Sequence, residues 1–155
     1  EWSSRAFDTR SSPLLIDNKL IIQTLFEGVY CFSKSKGREM WRNSAIYGAT
    51  SFCSTGSDII GCGSNGWIAS INPEDGEMNW IQDIQTPINS TPVTDGYSVF
   101  VSDMEGKIRA FNIDTGTLKW DYDLEMPIIS SPAIWNGRLY VGCSDSKIYC
   151  FSQAK

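Results

Sequence analysis

A tryptophan returns at nearly constant intervals along this 155-residue chain, at Trp2, Trp41, Trp80 and Trp120, and it does not return alone. Glycines precede the last three at Gly37, Gly76 and Gly116, and apolar residues stand at Phe32, Ile71, Phe111 and Phe151. Pro13, Phe52, Pro92 and Pro132 each follow a Ser or Thr. Every one of these marks keeps a spacing of 39 or 40 residues. Several independent marks held in phase over such a period define a repeat whose units must stack on one another to bury their faces.

Within one repeat the apolar pattern has period two. "STPVT", "YSVFVS", "KIRAFN" and "TLKWDY" read in order as strands A, B, C and D, bounded by turn residues. No segment sustains the 3.6-residue period of an amphipathic helix. Two-residue turns are expected between B and C at Asn65-Gly66, Glu105-Gly106 and Asp145-Ser146. Longer turns between C and D end at the recurring glycine, where left-handed backbone is expected. The pattern predicts an all-β fold, a β-propeller of four-stranded antiparallel blades in a single domain, 1–155. The divisions are a closing outer strand and loop over 1–10, then blades at 11–48, 49–88, 89–128 and 129–155. Trp2 lies one period before Trp41, so the N-terminal segment reads as a strand D that completes the last blade and removes its edge. Three arrangements remain open: a closed four-blade ring, an eight-blade ring made by a homodimer, and part of a larger protein.

Small residues at Cys31, Ser70, Ala110 and Cys150 precede the apolar anchors, giving small-x5-Gly-x3-Trp as in "AFNIDTGTLKW". This resembles the tryptophan-docking motif of the PQQ-type (quinoprotein-like) propeller repeat family, along the whole chain. The resemblance implies that Trp2, Trp41, Trp80 and Trp120 pack over the small residue and glycine of a neighbouring blade, with Ala110, Gly37, Gly76 and Gly116 as docking partners. It also implies two kinds of activity, since the family includes interaction scaffolds as well as dehydrogenases. The dehydrogenases hold PQQ between a Trp and a disulfide of adjacent cysteines, with calcium on Glu, Asn and Asp. No two cysteines are adjacent here.

Composition narrows the function. The chain has no histidine, which removes Ser-His-Asp and Cys-His catalysis, and no Cys-x-x-Cys pair for zinc. A formal net charge of −5 is wrong for a phosphate-binding surface, so no nucleic-acid partner is expected. No apolar run reaches the ~20 residues that span a bilayer. The first residue is Glu1, which suits a processed form or a segment of a longer protein. Five cysteines leave at least one thiol without an internal partner and suit a reducing compartment. They read as small buried residues, with Cys143 the one to test for reactivity.

The D–A loops and B–C turns are expected on one rim, where Glu27, Asp103, Glu105 and Asp145 project as solvated turn carboxylates. Candidate partner- or ligand-binding residues on that rim are Arg10, Arg42, Tyr47, Trp67 and Asn89. Arg10 and Asn89 stand just before strand A and are expected to face the axial funnel. Trp67 occupies a position filled by Lys107 and Lys147 in the next repeats, and reads equally as an exposed hot spot or as a cover for neighbouring side chains. Trp135 is a lesser candidate. No catalytic, metal or cofactor-binding residue is assigned. The expected role is non-catalytic recognition of a protein, peptide or small ligand; the alternative is half of a PQQ- and calcium-dependent oxidoreductase completed by further chain.

Overall fold

The computed structural model describes residues 1–152 and contains fifteen strands in four antiparallel sheets. The first sheet is β1 (Leu14–Ile16), β2 (Lys19–Gln23), β3 (Val29–Ser33) and β4 (Glu39–Asn43) in that order. The second is β5 (Cys53–Ser54), β6 (Ile59–Cys62), β7 (Trp67–Ile71) and β8 (Met78–Asp83). The third is β9 (Val93–Thr94), β10 (Ser98–Ser102), β11 (Lys107–Asn112) and β12 (Leu118–Asp123). The fourth has three strands, β13 (Ala133–Trp135), β14 (Arg138–Gly142) and β15 (Ile148–Ser152). No helix long and apolar enough to cross a membrane occurs among the described residues.

The sheets stack because their central strands are apolar on both faces. Ile59 and Ile71 share one cluster with Ile21, Val29 and Trp41, whereas Ile60 and Ile68 join Val99, Val101 and Phe111 in the next. Phe100, Ile108, Leu139 and Val141 form the third. Alternate residues of each middle strand thus serve opposite neighbours, as the period-two pattern requires. A ladder of hydroxyls ties the sheets just before each strand A. The amides of Ser12, Ser51 and Thr91 donate to the hydroxyls of Ser51, Thr91 and Ser131 at 3.0, 3.3 and 2.9 Å. The preceding hydroxyl turns back on its own sheet, as from Thr50 to the Cys62 carbonyl and Ser90 to that of Ser102. That is why Ser and Thr pairs recur with the period.

The tryptophans also link neighbours. The indole N–H of Trp2, Trp41 and Trp80 donates to the carbonyls of Lys34, Pro73 and Ile113 at 3.0, 3.0 and 2.9 Å. Their rings lie where a Cβ would stand on Gly37, Gly76 and Gly116, each of which has positive φ. Only glycine meets both demands. The small residue plays another part: Cys31, Ser70 and Ala110 lie opposite the tryptophan of their own sheet, beside a register shift that recurs in all three complete sheets.

Four expectations need correction. The B–C turns contain three loop residues, because the amide of Gly63 bonds the Trp67 carbonyl at 2.8 Å and leaves Ser64 to Gly66 as the loop. Gly66, Gly106 and Ser146 then take the left-handed position at its end. Asp103 is buried instead of projecting. Cys150 is exposed, because β15 carries no outer strand among the described residues. Residues 1–8 form no ladder with β15; they lie on the first sheet, where Ala6 packs against Ile22, Tyr30 and Phe32.

Candidate functional site

One rim of the stack is built by backbone bonds between D–A loops and B–C turns. The amides of Leu25, Ser64, Met104 and Ser144 donate to the carbonyls of Asp8, Tyr47, Pro87 and Pro127, at 2.8 to 3.3 Å. A second set of amides reaches back to the turn of the preceding sheet, from Gly48 to the Thr24 carbonyl, from Ile88 to that of Gly63 and from Ile128 to that of Asp103. Each B–C turn is therefore sewn to the loop that enters its own sheet, and the first three also to the loop that enters the next, giving a continuous, backbone-fixed surface. Such a surface can present loop side chains without ordering them on binding.

The positions immediately before the hydroxyl pairs, Arg10, Ala49, Asn89 and Ile129, are all exposed on this rim. They alternate with inward hydroxyls, so the exposure follows from strand geometry. Asn89 accepts a hydrogen bond from Ser64 at 3.3 Å, and Arg10 lies 3.4 Å from the Asp8 carboxylate. Arg42 is exposed near the end of β4 and shares a polar hollow of about 320 Å³ with Glu27, Tyr30 and Ser44. Tyr47 is half-buried and is held to the adjacent turn through its carbonyl. Trp67 is half-buried against the cluster of Ile46, Phe52 and Ile59, so its ring covers neighbouring side chains. Trp135, by contrast, is 71% exposed.

Phe26 escaped the sequence reading although it is 72% exposed at a turn tip. The corresponding tip residues are Asn65, Glu105 and Asp145, so an aromatic at that place was the signal. The carboxylates of the rim divide by environment. Asp103 accepts from the amides of Glu105 and Lys107 at 3.0 Å and pairs with Arg109, which makes it a brace within the turn. Asp145 is held down to about 2 by hydrogen bonds from Lys147 first and Tyr149 second, at 2.8 and 2.7 Å. Glu27 and Glu105 are exposed.

The cysteines are all free thiols. Burial pushes Cys31 up to about 11 and Cys53 up to about 12, and raises Cys62 as well. These three are poor nucleophiles. Cys143, half-buried, points its sulfur at the Met126 carbonyl, 3.5 Å away. Among the described residues no three acidic or cysteine side chains converge as a metal site.

Comparison with known proteins agrees with this architecture. The profile of the family described as "Outer membrane protein assembly factor BamB", a PQQ-repeat family, matches residues 64–155. No curated protein matches the chain. Among solved structures, BamB from Moraxella catarrhalis superposes on 92% of this chain with a TM-score of 0.80 and 17% identity. The chain spans 49% of that protein's length. The computationally designed Ika4 protein matches over 99% of this chain and 100% of its own, with a TM-score of 0.82 and 11% identity. A quinohemoprotein alcohol dehydrogenase, ADHIIG from Pseudomonas putida HK5, matches over 90% of this chain and 28% of its own, with a TM-score of 0.74 and 14% identity. At such identities the structural likeness is one of fold.

Proposed function

We propose non-catalytic recognition as the role of this chain, which belongs to the PQQ-repeat family of the outer membrane protein assembly factor BamB. Its rim of D–A loops and B–C turns is the surface for a protein or peptide, or for a small ligand. The observation that carries this reading is the set of backbone bonds sewing the turns to the loops of their own and of the following sheet, which fixes a continuous surface bearing Arg10, Arg42, Asn89 and Phe26. Membership in a family named for an assembly factor supports a protein partner in particular. Aromatic and arginine side chains on a rigid frame are the composition from which binding hot spots are made. Ring closure through residues 1–10, within one chain or between two in an eight-blade ring, would leave this rim unobstructed.

A photo-crosslinking amino acid tests the reading when placed at Asn89 or Phe26, with Asp95 on the opposite A–B turn as control. Discrete protein adducts should form from the first two positions and not from the third. Equal labelling from all three would contradict it.

A second reading, part of a PQQ-dependent oxidoreductase, draws on the fold shared with the quinohemoprotein dehydrogenase. Its cofactor does not fit the described residues, which offer neither adjacent cysteines nor a converging carboxylate set. Titrating the protein with PQQ and calcium should leave tryptophan fluorescence unchanged. Saturable quenching at micromolar cofactor would favour the enzyme.

A further inference from the structure

An asparagine or aspartate stands directly before a glycine at four places, Asn65-Gly66, Asp75-Gly76, Asp95-Gly96 and Asn136-Gly137. Such pairs are chemically labile, because a glycine amide nitrogen with no Cβ beside it can close on the preceding side-chain carbonyl. Whether it does so depends on what else holds that amide. In three of the four pairs it is already engaged as a donor. Gly66 donates to the Gly63 carbonyl at 3.0 Å, Gly76 to that of Asn72 at 2.9 Å, and Gly96 to the Thr94 hydroxyl at 3.0 Å. The Asn65 side chain is held as well, donating to the Ala45 carbonyl at 2.9 Å. The Gly137 amide has no partner among the described residues.

The repeat explains the difference. The β13–β14 hairpin turns through Asn136 and Gly137 alone, with Trp135 opposite Arg138. Both turn residues have positive φ, +48° and +70°, as a type I′ turn requires. The position just before these two is Thr55 in the second sheet, Asp95 in the third and Trp135 in the fourth. Asp95 takes the amides of Tyr97 and Ser98 on its carboxylate at 2.9 and 2.7 Å, and the Thr55 hydroxyl takes that of Asp58 at 3.0 Å. An indole has no acceptor to offer, so tryptophan at this place leaves the turn amide free. Asn136 is exposed, and a Cβ on Gly137 would meet nothing within 4 Å. The turn is open whatever flanks it: Gly56 and Gly96, at the place of Asn136 in sheets with a neighbour on each side, also face nothing within 4 Å.

We propose that Asn136 is a site of spontaneous deamidation, set apart from the other three pairs by its unclaimed glycine amide. The Gly137 nitrogen attacks Cγ of Asn136. The N–Cγ bond forms, the Cγ–Nδ2 bond breaks, and Nδ2 leaves as ammonia with the amide proton. Solvent water then opens the succinimide ring at either carbonyl, leaving an aspartate or an isoaspartate at position 136. No electron is gained or lost. Either product puts a carboxylate beside the exposed Arg138. The isoaspartate also lengthens the main chain by one atom in a loop of two residues, which pulls against the Trp135–Arg138 pair. Its free α-carboxyl is the substrate class of isoaspartate-repair methyl transfer. The site lies on the A–B turns, opposite the D–A loops, and is independent of whatever that rim binds.

Incubation of the full folded chain at pH 8, followed by tryptic mass mapping, tests the proposal. Peptide 120–138 carries a single side-chain amide, that of Asn136, so any amide-to-acid conversion in it reports this site. Conversion at Asn136 should outpace that at Asn65 by about 10-fold or more, because a bonded turn amide reacts only through local opening. In urea, where neither turn persists, the two Asn-Gly pairs should convert at similar rates. Equal rates in the folded chain, or a slower Asn136, would overturn the proposal, and so would the same selectivity in urea. Two variants address the cause. Trp135→Asp restores the carboxylate found at Asp95 and should slow conversion about 10-fold, whereas Trp135→Phe should leave it unchanged. Conversion of Trp135→Asp at the parent's rate would overturn the role given to the free amide.

Discussion

Replacing Trp80 with alanine removes a side chain that is 8% exposed, lies over Gly116 and donates its indole N–H to the Ile113 carbonyl at 2.9 Å. A buried indole removes on the order of 150–250 Å² from water, or ~4–6 kcal/mol at ~25 cal/mol/Å². Relaxation of the site brings the cost measured for such truncations to ~3–5 kcal/mol. For a chain of this size that corresponds to a fall of ~6–20 °C in the melting midpoint. Trp120 provides the internal comparison. It is 38% exposed, and its counterpart acceptor by repeat spacing is Gln153, which lies outside the described residues. Trp120→Ala should therefore cost roughly half as much. Gly116→Ala attacks the same contact from below, since its Cβ would stand 2.5 Å from the Trp80 ring and its φ is +68°. The Trp80→Ala and Gly116→Ala losses should be less than additive, because both remove one interaction. Thermal melts followed by near-ultraviolet circular dichroism measure the parent, the three single variants and the Trp80→Ala/Gly116→Ala double variant. Equal midpoints for Trp80→Ala and the parent would refute the stapling argument, and so would fully additive losses.

Four further outcomes follow from named side chains. Arg109→Leu leaves the buried Asp103 carboxylate with backbone amides alone, and chemical denaturation should show a loss of ~3 kcal/mol; a loss below ~1 kcal/mol would mean that the turn is solvated. Asp145 should titrate near pH 2 by carboxyl-detected NMR and move upward in Lys147→Met, so its contribution is complete above the ordinary carboxylate range and fades as pH falls towards 2; a midpoint near 4 would contradict the contacts. Cys53 and Cys31 are raised to about 12 and about 11 by burial, so stability is whole below the ordinary thiol range near ~8.5 and declines as pH rises towards those values. Native-state labelling with iodoacetamide at pH 8 should leave Cys31 and Cys62 untouched, and rapid loss of either buried thiol would contradict the core.

What was legible in the sequence is what repeats. The glycines announced left-handed turns because nothing else in the turn could adopt that backbone beneath an indole, and the Ser/Thr pairs marked the entry to strand A before their ladder was seen. Features that depend on one side chain answering another were not legible. Asp103 looked like a solvated turn acid, and only the folded turn brings Arg109 and two backbone amides around it. Gln23 gave no signal, yet its buried amide donates to the Cys62 carbonyl at 2.8 Å and accepts from Thr50. Trp67 departed from the repeat pattern in a way that fitted an exposed contact and a local cover equally, and packing against Ile46 and Phe52 decides between them. Cys150 was read from its equivalents, all of which have an outer strand beside them. Period alone does not tell whether a strand position has a neighbouring strand beside it.

The claim that D–A loops and B–C turns form one backbone-fixed surface is tested most directly by amide hydrogen exchange. The amides of Leu25, Ser64, Met104 and Ser144, each bonded to a loop carbonyl, should exchange slowly as a set. Exchange of these four at the rate of unprotected loop amides would contradict it.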